Sequence, residues 1–103
     1  MSKAFAVRKN FYKGSLMVNI CDIELLGTTL REGELTINIT KEYFCESIIN
    51  EEEIISLLKE CSIANLVGNN SVKNAVSLKL ASEASIRWID NVPFLMFFKF
   101  TLR

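Results

Sequence analysis

Residues Ser62–Lys73 read SIANLVGNNSVK. An apolar run stops at Gly68, two asparagines follow, and a new apolar periodicity starts at Val72. Upstream, Asn50 can cap a helix, and Glu53 stands three residues on, as in a capping box. Glu51, Glu52 and Glu53 occupy the first turn, where negative charge favours the helix dipole. Ile54, Ile55, Leu58 and Cys61 keep helical spacing, and Leu66 and Val67 extend that stripe to Gly68. Glycine takes the left-handed conformation that ends a helix without a Cβ penalty. Asn70 or Ser71 then caps a second helix with Val72, Ala75, Val76 and Leu80 on its apolar face. The stretch is expected to be the elbow of an αα-hairpin.

Short β-leaning runs flank this pair. Ala4–Lys9 and Leu16–Ile20 lie around NFYKG and predict a hairpin. CDIELLGTTLREGEL, punctuated by Gly27 and Gly33, reads as a loop or a single irregular turn. Leu35, Ile37 and Ile39 alternate with Thr36, Asn38 and Thr40, a strand with one wet and one dry face. SIRWID and VPFLMFFKF close the chain as strands, with Pro93 at the start of the last because it cannot donate to a ladder. Phe94, Met96, Phe98 and Phe100 fall on one face of that strand; Leu95, Phe97 and Lys99 fall on the other. A strand apolar on both faces is central in its sheet, part of a partner interface, or a platform on which bases stack. Phe94 and Phe97 are its candidate interface residues. The fold class is α+β: a single domain and two-layer sandwich, with a mixed sheet of about four to five strands covered by the two-helix hairpin.

The totals narrow the chemistry. The chain has 103 residues, half of them apolar, one proline and four glycines, as one folded domain requires. No apolar run approaches the ~20 residues of a membrane span, and the N-terminus lacks the features of a secretory signal. An intracellular, cytoplasmic protein away from membranes is expected. Cys21, Cys45 and Cys61 are odd in number and widely spaced, unlike a disulfide scaffold. The absence of histidine removes the commonest general base and metal ligand, and with them a cysteine–histidine pair. A zinc site would need all three thiolates and a fourth ligand. Phosphate-loop, dinucleotide-loop and nucleophile-elbow motifs are missing from the sequence. No catalytic residue, cofactor or metal is therefore expected. Net charge is zero but unevenly spread: residues 1–31 carry +3, residues 32–60 carry −6 and residues 61–103 carry +3. A pI near 6.3 argues against obligate, sequence-independent nucleic-acid binding but leaves room for a local basic face.

Three groups of polar residues are candidates for function. Asp22, Glu24, Arg31, Glu32 and Glu34 form the densest polar cluster. Without a fixed ligand spacing such a loop is usually solvated, with partner recognition through Asp22, Arg31 and Glu32 as its functional alternative. Asn65 lies in the apolar stripe, where an asparagine needs partners; it either ties the elbow together or reads a peptide or a base edge. Asn70, Ser71 and Lys73, at the start of the second helix, could hold an anion. That segment also resembles a helix-hairpin-helix module, except that Asn69-Asn70 replaces the second glycine.

Four motifs taken together carry a wider resemblance: CDIELLG (Cys21–Gly27), REGEL (Arg31–Leu35), IINEEEI (Ile48–Ile54) and IANLVG (Ile63–Gly68) followed by Ser71-Val72. In order and spacing they resemble the small archaeal proteins of domain-of-unknown-function family 424. The resemblance implies a compact two-layer α/β sandwich, association with translation and other information-processing genes, and no activity that can be named. Asp22, Gly27, Arg31, Glu32, Gly33, Asn65 and Gly68 stand where the family's motifs stand. Related sequences often carry a histidine or another polar residue after the proline of the last strand, where this chain has Phe94.

The resulting expectation is a non-catalytic accessory of the translation or RNA machinery, binding RNA or a ribonucleoprotein. The alternative is a protein-interaction module or homodimer acting through the phenylalanine-rich strand.

Overall fold

In a computed structural model, which describes residues 3–99, Lys13 and Gly14 both take positive φ (50° and 79°). Their twist matches that of a two-residue hairpin turn. The turn joins β1 (Ala4–Tyr12) to β2 (Ser15–Asp22), paired antiparallel from Phe5↔Asp22 to Tyr12↔Ser15. The predicted hairpin is present and longer than its apolar runs. The glycine-punctuated segment is more ordered than the expected loop. It holds a 3-10 turn at Ile23–Leu25 and β3 (Thr29–Glu32), which pairs with β4 (Leu35–Asn38) in a separate two-stranded sheet. A single helical turn, α1 (Lys41–Phe44), leads to a short strand, β5 (Ser47–Asn50), which periodicity did not reveal.

The predicted capping box begins α2 (Glu51–Glu60): Glu53 N–H donates to Asn50 Oδ1 at 2.9 Å, and Asn50 N–H donates to Glu53 Oε1 at 3.0 Å. Ile54, Leu57 and Leu58 are its buried face. The helix then stops seven residues before the expected Val67. Lys99 reaches back and donates from Nζ to the carbonyls of Leu58 and Lys59, both at 2.7 Å. A cation on the last carbonyls favours a helix end there.

The segment decisive for the fold is therefore not an elbow between helices. Ile63–Val67 is β6, parallel to β2 and antiparallel to β8 (Val92–Phe98). Helix α3 (Asn69–Ser77) begins directly after it. The apolar residues of β6 fall on both faces, Ala64 and Leu66 toward the helices and Val67 toward the β3–β4 hairpin, which erases the alternation that would distinguish it from a helical stripe. Gly68 (φ 112°) is the N-cap of α3, not the end of a preceding helix. After α3, a 3-10 turn at Glu83–Ser85 and β7 (Arg87–Ile89) precede β8.

The main sheet is mixed and six-stranded, in the order β5-β1-β2-β6-β8-β7. It has more strands than the four to five expected, and a strand separates the two long helices where a hairpin was expected. The α+β class stands. Helices α2 and α3 cover one face, over a core of Phe5, Val18, Ile20, Leu58, Leu66, Ala75, Leu95 and Phe97. The β3–β4 hairpin and Phe44 cover part of the other face, over a smaller core of Ala6, Cys21, Leu30, Ile39 and Val67. Among the described residues no helix is long and apolar enough to cross a membrane.

Candidate functional site

Asp22 is the last residue of β2 and only 4% exposed. Its carboxylate accepts from Asn70 N–H (2.9 Å), Ser71 N–H (2.8 Å) and Ser71 Oγ (2.7 Å). It fills the N-terminal pole of α3, where backbone N–H groups favour an anion. The amides of Asn70 and Ser71, for which an external anion was the functional alternative, are bonded to a carboxylate of the chain itself. Gly68 makes the contact possible: a Cβ there would lie 2.7 Å from both Asp22 carboxylate oxygens. Lys73 is exposed on the same helix, over the opposite side of the sheet from the β3–β4 hairpin.

The rest of the polar cluster disperses. Arg31 N–H donates to Asp90 Oδ2 at 2.9 Å, and Asp90 N–H donates to Glu32 Oε1 at 3.0 Å. These bonds fasten β3 to the Asp90-Asn91 turn between β7 and β8. Both turn residues take positive φ, 52° and 61°. Among the described residues the only salt bridge is Lys3–Glu51, at 3.9 Å and exposed. No three Cys, Asp or Glu side chains among them converge as a metal site would require. Burial, with Asp22 beside it, pushes the Cys21 thiol up to about 12, which keeps it protonated and a poor nucleophile. Burial also raises Cys61, against the opposing pull of Lys99.

Of the candidate interface residues, Phe97 is 6% exposed within the main core, and Phe94 is half-buried against the smaller one. Their neighbours on β8 are the outward ones: Met96 is 58% exposed and Phe98 is 55% exposed. The registers place them in a grid on the half of the sheet that the β3–β4 hairpin leaves open. One row runs Arg8, Asn19, Asn65, Met96 across β1, β2, β6 and β8. The next runs Asn10, Met17, Ile63, Phe98. Tyr12, 65% exposed, follows along β1 on this face, with Lys13 Nζ 5.4 Å from its ring centre. Arg87 pairs with Phe94 at the β7 edge. None of these register positions holds a carboxylate, and neither Arg8 nor Arg87 has an ion-pair partner among the described residues.

At the centre of the grid two amides bond to each other. Asn65 Nδ2 donates to Asn19 Oδ1 at 3.0 Å, and Asn19 Nδ2 donates to the carbonyl of Tyr43 at 3.1 Å. Asn65 is thus neither helical nor part of an elbow; it faces outward from the middle of a sheet. Reading the residues alone missed Arg8, Asn19, Met17 and Met96 as its neighbours, since no local spacing links four strands.

The model for the family described as "Protein of unknown function (DUF424)" matches residues 7–100. The chain belongs to this family. The resemblance carried by the four motifs of the DUF424 chain therefore holds. No curated protein matches the sequence. A solved structure, "Crystal structure of an uncharacterized conserved protein from Methanopyrus kandleri", is similar in fold, with a TM-score of 0.75 and 17% identity over 97% of each chain. At that identity the likeness shows the fold of this DUF424 chain alone.

Proposed function

We propose that this DUF424 protein is a non-catalytic RNA-binding accessory of the translation or RNA machinery, and that RNA lies on the open half of its sheet. One observation carries the reading: in a chain of zero net charge, Arg8 and Arg87 share that face with exposed Tyr12, Met96 and Phe98, at register positions none of which holds a carboxylate. Cations for phosphate and flat or polarisable side chains for bases are what a sheet platform for RNA needs. The same face of a second copy suits it less well, because it would set Arg8 and Arg87 against their own counterparts. Arg31, on the hairpin bordering the open half, is assigned to the rim. The bonds of Asp22, Asn70 and Ser71 are internal, so their part is to hold α3. Lys73 lies on the helical side.

The test is titration of a labelled RNA with the purified protein at low and high salt. Binding is expected at low salt and should weaken steeply as salt rises. Arg8→Ala should weaken it several-fold, and Lys73→Ala should leave it unchanged. Absence of binding at low salt, or equal loss in both variants, would overturn the reading. Doubled mass in sedimentation equilibrium, lost in Met96→Asp, would favour the homodimer instead.

A further inference from the structure

We infer that the RNA bound on this face is single-stranded, and that Asn65 hydrogen-bonds to the edge of an unpaired base; the inference rests on the RNA-binding reading above. The orientation of the amides is the starting point. A backbone carbonyl only accepts, so Tyr43 requires the Nδ2 of Asn19 to point toward it. Asn19 Oδ1 then faces Asn65 and can only accept, which turns Asn65 Nδ2 inward at 3.0 Å. One backbone carbonyl thereby orders both side chains. Asn65 is left with its Oδ1 and its second N–H without a partner among the described residues.

An acceptor and a donor side by side in one plane match the edge of a nucleobase, as in amide–adenine pairs. In duplex RNA such edges are engaged or lie in a groove that side chains cannot enter, whereas unpaired bases can splay onto a sheet. The neighbours fit an unpaired base. In the register Asn65 stands between Asn19 and Met96, with Ile63 and Phe98 in the next row, so a base bonded to Asn65 lies against apolar and aromatic surface. Arg8, at the end of the same row, is placed for a backbone phosphate. A partly buried amide left half-satisfied in an apolar setting stabilises nothing by itself; its unused groups gain when a ligand supplies the missing bonds.

The experiment compares single-stranded homopolymers of each base with a duplex of equal length, by fluorescence anisotropy at constant low salt. Wild-type protein should bind at least one single strand about tenfold more tightly than the duplex, the size expected of one good amide–base pair. Asn65→Thr, which suits a strand, should abolish most of that preference while leaving duplex affinity and thermal midpoint unchanged. Asn65→Gln, which keeps an amide, should retain part of it. Salt-sensitive binding indifferent to strandedness, or a preference unmoved by Asn65→Thr, would overturn the inference and leave the RNA-binding reading standing. Absence of binding to every RNA would overturn both.

Discussion

Asp22 and Gly68 show how two residues far apart in sequence depend on each other. Gly68 combines a φ of 112° with a position against the Asp22 carboxylate. Gly68→Ala is therefore expected to cost at least ~2 kcal/mol from backbone strain and displacement of Asp22, read as a lower urea midpoint with unchanged slope. Asp22→Ala should cost about 2–4 kcal/mol, because it strands the Asn70 and Ser71 donors in a buried place. Among the thiols, Cys21 and Cys61 are buried and Cys45 is half-buried. Alkylation of the native protein should modify Cys45 first, as mass spectrometry of the labelled peptides would show. Cys21 also links folding to pH. Its folded value, raised to about 12, lies above that of the unfolded chain, so its contribution is full below the unfolded value and lost as pH rises toward 12. Cys21→Ala should flatten part of the alkaline decline in stability measured by denaturant titration. None of these couplings is visible in the local sequence, although Asp22 and Gly68 both lie in motifs that mark the family.

At the scale of elements, the capping box of α2 was legible because it is local: Asn50 and Glu53 are three residues apart and need nothing else. The end of the same helix was not legible, because Lys99, forty residues away, supplies its cap. Lys99→Ala should cost about 1–2 kcal/mol, and hydrogen exchange should show it as fraying of the last turn of α2. β6 resists local reading for a related reason. Ala64 and Leu66 pack on the helical side and Val67 on the hairpin side, so its apolar residues fall on both faces. A run of five residues after a helix, four of them apolar, continues a helical stripe equally well. β5 and β3 are each four residues long and largely exposed, so their pairing partners make them strands, not their own patterns.

For the whole molecule, the open half of the sheet exists because the β3–β4 hairpin covers only part of one face while α2 and α3 fill the other. Two substitutions one residue apart on β8 should therefore behave oppositely. Phe97→Asp buries a charge in the main core and should unfold the protein, seen as loss of the thermal transition. Met96→Asp should stay folded and lose RNA binding by electrostatic repulsion. The β1–β2 hairpin, the start of α2, the α+β class and the family are all readable from the chain's residues, since each rests on short-range periodicity, a cap or a set of motifs. That Ile63–Val67 is a central strand, that Asp22 occupies the start of α3, and that Arg8, Asn19, Asn65 and Met96 form one row emerges from the folded chain. Those features are pairings between distant segments, and the burial and hydrogen bonds that select them arise only when the strands lie side by side.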